Sequence, residues 1–252
     1  MRLLRPAVAL ASVLALGLSA CTTSTSSNGE ASKTADKSST AAATAVADSD
    51  VPKRDNTKTI YLVSKGFQHR FWQAVKEGAE DAGKKFGYKV EFVGPDNEQA
   101  TQQQLDQLKT ALSQKPAAIG FAALDSGSAG PVLDEIQQAG IPMVAFDSGV
   151  ESSIPKTTVS TDNKAAAAEA AKHMSELLGG KGTVGMVCHD STSTTGKQRC
   201  EGFKEYFKAN APADLKLLDE QIAGEVTKAA DTSKAIIQAN DDIVGMYGSN
   251  EA

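Results

Sequence analysis

Apolar and polar positions follow two alternating rhythms from Thr59 onward. Thr59-Ile60-Tyr61-Leu62-Val63 is short, apolar and β-branched, the composition of a buried strand. Trp72, Val75, Ala79, Ala82 and Phe86 then recur at helical spacing, and Gly87 ends that helix. Val90-Glu91-Phe92-Val93 reads as the next strand, closed by Gly94-Pro95. A glutamine-rich helix carries Leu105, Leu108 and Leu112 on one face and stops at Lys115-Pro116. Ala117 to Ala123 is a buried strand. Val132, Leu133 and Ile136 mark a helix that ends at Gly140. Met143-Val144-Ala145-Phe146 is a fourth strand, and Thr157 to Ser160 a short fifth.

The pattern then restarts. Ala165 to Leu178 is an alanine-rich helix with Met174, Leu177 and Leu178 expected to face inward, capped by Gly179-Gly180. Val184 to Val187 is a strand. Phe203, Tyr206 and Phe207 share a helical face. Leu215, Leu217 and Leu218 suggest a strand, Ala229, Ile236 and Ile237 another helix, and Ile243 to Tyr247 a closing strand. Alternation of this kind predicts an α/β fold of parallel sheets flanked by helices. The two runs part near Thr161-Asp162, which predicts two lobes, 58–160 and 161–252. Ligands of open parallel sheets sit beyond the carboxyl ends of the strands. The candidate positions are therefore Ser64 to Trp72, Ala122 to Asp125, Asp147, His189-Asp190 and Ser249-Asn250.

The N-terminal segment changes the expected compartment. Arg2 and Arg5 precede the apolar run Ala7 to Leu18, which is too short to span a bilayer as a helix. This is the pattern of a secretory signal. Leu18-Ser19-Ala20-Cys21 resembles the lipobox of bacterial lipoproteins, in which the cysteine is lipidated and becomes the new N-terminus. Residues 1–21 are thus expected to be a signal peptide ending at a lipidated Cys21. Residues 22–57 hold almost no large apolar group and are expected to form a disordered tether on the extracytoplasmic face of the cell membrane. A net charge of -5 argues against nucleic acid as a partner. Cys188 and Cys200 form an even pair in an exported chain, which suggests a disulfide, although the spacing fits two free thiols equally well.

Four stretches, in order, carry a further resemblance: SKGFQHRFWQAVKEGAEDAGKKFG, GIPMVAFDSGV, STDNKAAAAEAA and RCEGF. Together they resemble the ribose-binding-like periplasmic sugar-binding proteins, the solute receptors of ABC importers. The resemblance implies a type I periplasmic-binding-protein fold that closes on one small ligand, with no cofactor, no catalytic residue and no bound metal. It implies a monosaccharide or related polyol as ligand, an ABC permease as membrane partner, and a monomer. The chain ends sooner than this family's pattern. The second lobe is expected to be incomplete, and binding by this chain alone weak or absent.

On that resemblance the aromatics near the first strand acquire a role. A sugar ring has apolar faces and a rim of hydroxyls. Phe71 and Trp72 match the aromatics that cover the faces, and Phe67 stands close to them. Trp72 is also the first apolar position of its helix, where it would face the core, and Phe71 is open to the same reading. Arg70 and His69 stand between ligand contacts and solvated helix-end residues. Asp147 falls where the family has a ligand aspartate, and charge-assisted bonds to hydroxyls are about twice as strong as neutral ones. Asp147 could instead be a strand-end turn residue. Where the ribose receptor continues with arginine, this chain has Ser148. Asp125 is a ligand candidate or a helix cap, and the family's asparagine shortly before it is replaced by Ala122. Arg199 matches an arginine that reaches in from the second lobe, with five donors in a fixed fork. Asn250 matches a ligand asparagine able to donate and accept. Surface and turn roles are the alternatives for these two.

An anchored enzyme is the competing class. The sequence has no G-x-S-x-G elbow after a strand and no H-E-x-x-H. Gly179-Gly180-Lys181-Gly182 precedes a strand, so it lacks the helix start of a phosphate loop. With three histidines, base candidates are few. A sensor that presents its closed form to a signalling receptor is the other alternative, and the sequence does not separate it from a transport receptor.

Overall fold

The computed structural model describes residues 57–67 and 69–252. The expected signal peptide, Cys21, and all but the last residue of the expected tether lie outside the described residues.

The first half is a parallel sheet with three intervening helices. Its elements are β1 (Thr59–Val63), α1 (Arg70–Phe86), β2 (Lys89–Val93), α2 (Thr101–Ser113), β3 (Ala118–Phe121), α3 (Gly130–Gln138), β4 (Met143–Phe146) and β5 (Thr158–Val159). The strand order is β2-β1-β3-β4-β5. β1 lies between β2 and β3, with Ile60 beside Val90 on one side and Ala118 on the other. Val63, Leu108, Ile119, Phe121, Leu133, Ile136 and Met143 form the core. Gly87 ends α1 in the left-handed region (φ 75°), which a glycine adopts without a Cβ clash.

One polar side chain sits inside that core. Gln104 of α2 is fully buried. Its Nε2 donates to the carbonyls of Ser64 and Ala122 at 2.8 Å each, and its Oε1 accepts from the N–H of Leu124 at 3.0 Å. It thereby satisfies the backbone just past β1 and β3, where the ladder ends and buried groups would otherwise lack partners.

The second half comprises α4 (Asn163–Leu177), β6 (Gly182–Cys188), α5 (Thr194–Asn210), β7 (Leu215–Leu217), β8 (Gln221–Ile222), α6 (Val226–Ala239) and β9 (Ile243–Gly248). β6 is central and pairs in parallel with β7, β8 and β9. Asp162 caps α4 and Ser193 caps α5, each accepting a backbone N–H of the first turn. Cys188 and Cys200 are joined by a disulfide that ties the end of β6 to α5.

Leu177 does not face inward as expected. It is 72% exposed. The buried stripe of α4 runs through Asn163, Ala167 and Ala171 and continues along Met174 and Leu178, so Leu177 lies one position, about 100°, off the seam. Ile237 is exposed for the same reason beside buried Ile236. Ala82 is exposed on α1, whose buried positions are Trp72 and Gly83.

Candidate functional site

A cavity of about 550 Å³ opens where the carboxyl ends of the two sheets meet. The first half contributes Lys65, His69, Arg70, Phe71, Trp72, Glu98 and Asp147 to its wall. The second contributes His189, Thr195, Arg199, Asn250 and Glu251. Volumes of roughly 300–1,000 Å³ are typical of small-molecule sites.

Lys65 stands at the centre and is 3% exposed. Its Nζ donates to Thr195 Oγ1 of the other half at 3.1 Å. The same ammonium lies 3.9 Å from a carboxylate oxygen of Glu98 and 3.9 Å from one of Asp147. A buried cation needs such partners. Asp147 directly follows β4 and holds a left-handed backbone (φ 57°) that aspartate tolerates better than most residues. Burial pushes its carboxyl above the ordinary value, and the opposing pull of Lys65 and Arg199 does not fully cancel that.

The aromatics stand together at the start of α1. Trp72 is 2% exposed and still lines the cavity, so it serves core and cavity wall together. Its Nε1 donates to Glu98 Oε1 at 2.7 Å. Phe71 is 47% exposed and meets Trp72 edge-on, with ring centroids 4.8 Å apart. Such pairs favour T-shaped geometry because the ring edge is positive and the face negative.

From the second half, Arg199 is oriented by two bonds. Nε donates to Asn163 Oδ1 at 2.7 Å and Nη1 to the Ser249 carbonyl at 2.9 Å. Asn250 turns its Oδ1 to the N–H of Ala252. His69 and Glu251 meet across the cavity, 3.3 Å apart. His189 is buried against Ser249 Oγ (2.6 Å from Nδ1) and Asp190 Oδ2 (3.3 Å from Nε2). Burial holds its pKa down to about 4 despite the adjacent carboxylate, so the ring is neutral at pH 7. Burial raises the carboxyl of Asp190, but His189, Lys65 and the bonds from Ser193 outweigh it and hold it below the ordinary value.

Phe67 and Asp125, both ligand candidates from the sequence, stand apart from the cavity. Phe67 is 39% exposed and packs edge-on against Phe92 of β2. The preceding turn is pinned by Ser64 Oγ, which reaches the carbonyls of Gly66 and Val93, and this carries residue 67 toward β2. Asp125 Oδ1 accepts the N–H groups of Gly127 and Ser128, so its carboxylate closes a turn. Asp190 likewise closes the β6–α5 turn through the N–H groups of Thr192 and Ser193. Ser148 is buried and bonds Thr195 Oγ1 at 3.0 Å. Lys65, Glu98, Thr195 and Glu251 were not singled out by the sequence. Lys65 lay within the stretch after β1 that any strand-end ligand must touch. Glu98 gave no comparable signal.

The chain belongs to the periplasmic binding protein family: the profile of the periplasmic binding protein domain matches residues 60–252. It is 24% identical over 202 residues to a D-ribose/D-allose-binding protein of Pseudomonas aeruginosa, covering 77% of this chain and 62% of that protein. A carbohydrate transporter solute-binding protein of Agrobacterium radiobacter, solved in complex with D-arabinose, superposes with a TM-score of 0.72 at 29% identity, covering 76% of this chain and 66% of that one. XylFII, solved in a complex with LytSN, superposes with a TM-score of 0.69 at 30% identity, over 76% and 69% of the two chains. This chain thus spans less than two thirds of the curated relative's length.

Proposed function

We propose that this chain is an extracytoplasmic solute-binding lipoprotein, anchored through Cys21, that captures a monosaccharide or related polyol between its halves and delivers it to an ABC importer. One observation carries the reading: the cavity draws Phe71, Trp72 and Asp147 from one half and Arg199 and Asn250 from the other. In it, Phe71 and Trp72 cover a sugar face while Asp147, Arg199, Asn250 and Lys65 bond the hydroxyl rim, with Arg70 at the edge. The family membership and the sugars bound by relatives support it. The work is binding, not chemistry. Only a closed form makes contacts from both halves, so ligand shifts the population toward closure by its differential affinity. A membrane permease would read the closed shape.

Titration of the purified chain with D-ribose, D-allose and D-arabinose tests this, followed by calorimetry and by emission of Trp72, the single tryptophan. Weak, millimolar but saturable binding by at least one sugar, reduced further in Asp147→Ala, is the expected outcome. No heat and no emission change up to about 10 mM of any of them would overturn it. A second reading is a sensor that presents its closed form to a receptor; the complex that the relative XylFII forms with LytSN is an instance of such a fold binding another protein. Sugar uptake lost in a strain lacking the chain supports import. Uptake preserved with a lost transcriptional response supports sensing.

A further inference from the structure

The glutamines of α2 have no place in the site as described so far, yet three of them brace the backbone of the segments that follow β1, β2 and β3. Gln104 satisfies the backbone past β1 and β3. Gln103 Oε1 accepts the N–H of Asp96 at 3.0 Å, and Gln107 Nε2 donates to the Gly94 carbonyl at 2.8 Å. Gln103 and Gln107 therefore grip the loop between β2 and α2 from the helix side. Asn97 Oδ1 accepts the N–H of Gln99 and closes the same loop from within. Gly94 packs so closely on Ser64 Oγ and the Gly66 backbone that a Cβ would collide there. Glu98 is the side chain this loop presents to the cavity.

Glu98 touches two of the site's central groups. Oε1 accepts the indole N–H of Trp72 at 2.7 Å, and Oε2 lies 3.9 Å from Lys65 Nζ. A buried indole N–H has one donor and a fixed direction, so its acceptor decides how the ring is turned. A buried ammonium ion is likewise drawn to its nearest carboxylates. We propose that Glu98, held by the glutamine face of α2, is the positioning residue of the ligand cavity, fixing the plane of Trp72 and the seat of Lys65. The inference rests on the proposed sugar-binding reading only for its effect on affinity. The Glu98–Trp72 contact stands without ligand.

Because Trp72 is the single tryptophan, the protein has one indole N–H resonance, and it reports this contact alone. The experiment compares the whole chain with Glu98→Ala, Glu98→Gln and the more distant Gln103→Ala, by exchange protection of that resonance without sugar and by titration with D-allose and D-arabinose. Glu98→Ala is expected to move the resonance, speed its exchange at least tenfold and weaken sugar binding about tenfold. Glu98→Gln keeps an acceptor and is expected to restore most of the protection. Gln103→Ala loosens the loop and is expected to fall between. An indole signal equally protected in wild type and Glu98→Ala overturns the proposal. Where Glu98→Ala does not fold, equal exchange in Gln103→Ala and wild type does so. If wild type binds none of D-ribose, D-allose and D-arabinose, the sugar reading fails while indole exchange still decides the role of Glu98.

Discussion

His189 is an imidazole kept neutral beside a carboxylate. Desolvation dominates, and the other charged groups that act on it, Asp190, Lys65, Glu98 and Arg199, pull in both directions. In the unfolded chain the ring takes a proton near 6.5, in the fold only near about 4. The unfolded state therefore binds the extra proton first as pH falls. The His189 contribution to stability is fully present above pH 6.5 and disappears between 6.5 and about 4, amounting to about 3 kcal/mol over that range. Urea unfolding of wild type and His189→Gln at a series of pH values checks this: the variant should lack that part of the slope. At this scale the sequence was legible where a side chain follows a strand directly, as with Asp147. It was illegible two or more residues on, because long-range bonds turn the loop. Ser64 sends Phe67 to Phe92, and an internal turn takes the carboxylate of Asp125. Glu98 reaches the cavity only because Gln103 and Gln107 hold its loop.

Among the elements, α4 and α5 make the closest helix contact. A Cβ placed on Gly202 would strike the Lys164 carbonyl, and Ala167 and Ala171 keep the facing side of α4 small. Gly202→Ala should gain up to about 1 kcal/mol of helix propensity but lose about 1–3 kcal/mol to overpacking. A lower urea midpoint with unchanged far-UV CD is the expected result, and an unchanged or raised midpoint would refute the close-packing argument. This scale explains how periodicity succeeded and where it slipped. Strand–helix alternation gave the parallel sheets because each element must bury one face. Apolar type alone suggests an inward Leu177, but the seam is set by the partner helix or sheet, which leaves Leu177 and Ile237 exposed. β8 escaped notice because Gln221-Ile222 is too short to show a period.

At the scale of the molecule, polar contacts hold the halves together away from the cavity. Lys197 of α5 donates to Ser126 Oγ at 3.0 Å and lies 3.5 Å from Glu151, while Thr192 Oγ1 donates to the Leu124 carbonyl and Gly149 N–H to Thr194 Oγ1. None of these residues lines the cavity. Lys197→Met should therefore lower sugar affinity about two- to fivefold by favouring the open form, with the cavity groups unchanged. Calorimetry at low and high salt checks this: the difference from wild type should shrink as salt screens the pair. Equal affinities at low salt would rule the clasp out.

The location of Lys65 has one more consequence. Its two carboxylate neighbours, Glu98 and Asp147, belong to its own half, and only the hydroxyl of Thr195 comes from across the cleft. Among the described residues, the His69–Glu251 contact and the Lys197–Glu151 ion pair bridge the halves, and both carboxylates are solvent-exposed, so water can hydrate them as soon as they part. For Lys65, swinging apart thus exchanges one hydroxyl for water and does not tear a dry cation from its nearest counterions. A jaw wired this way can release its cargo without a large electrostatic barrier.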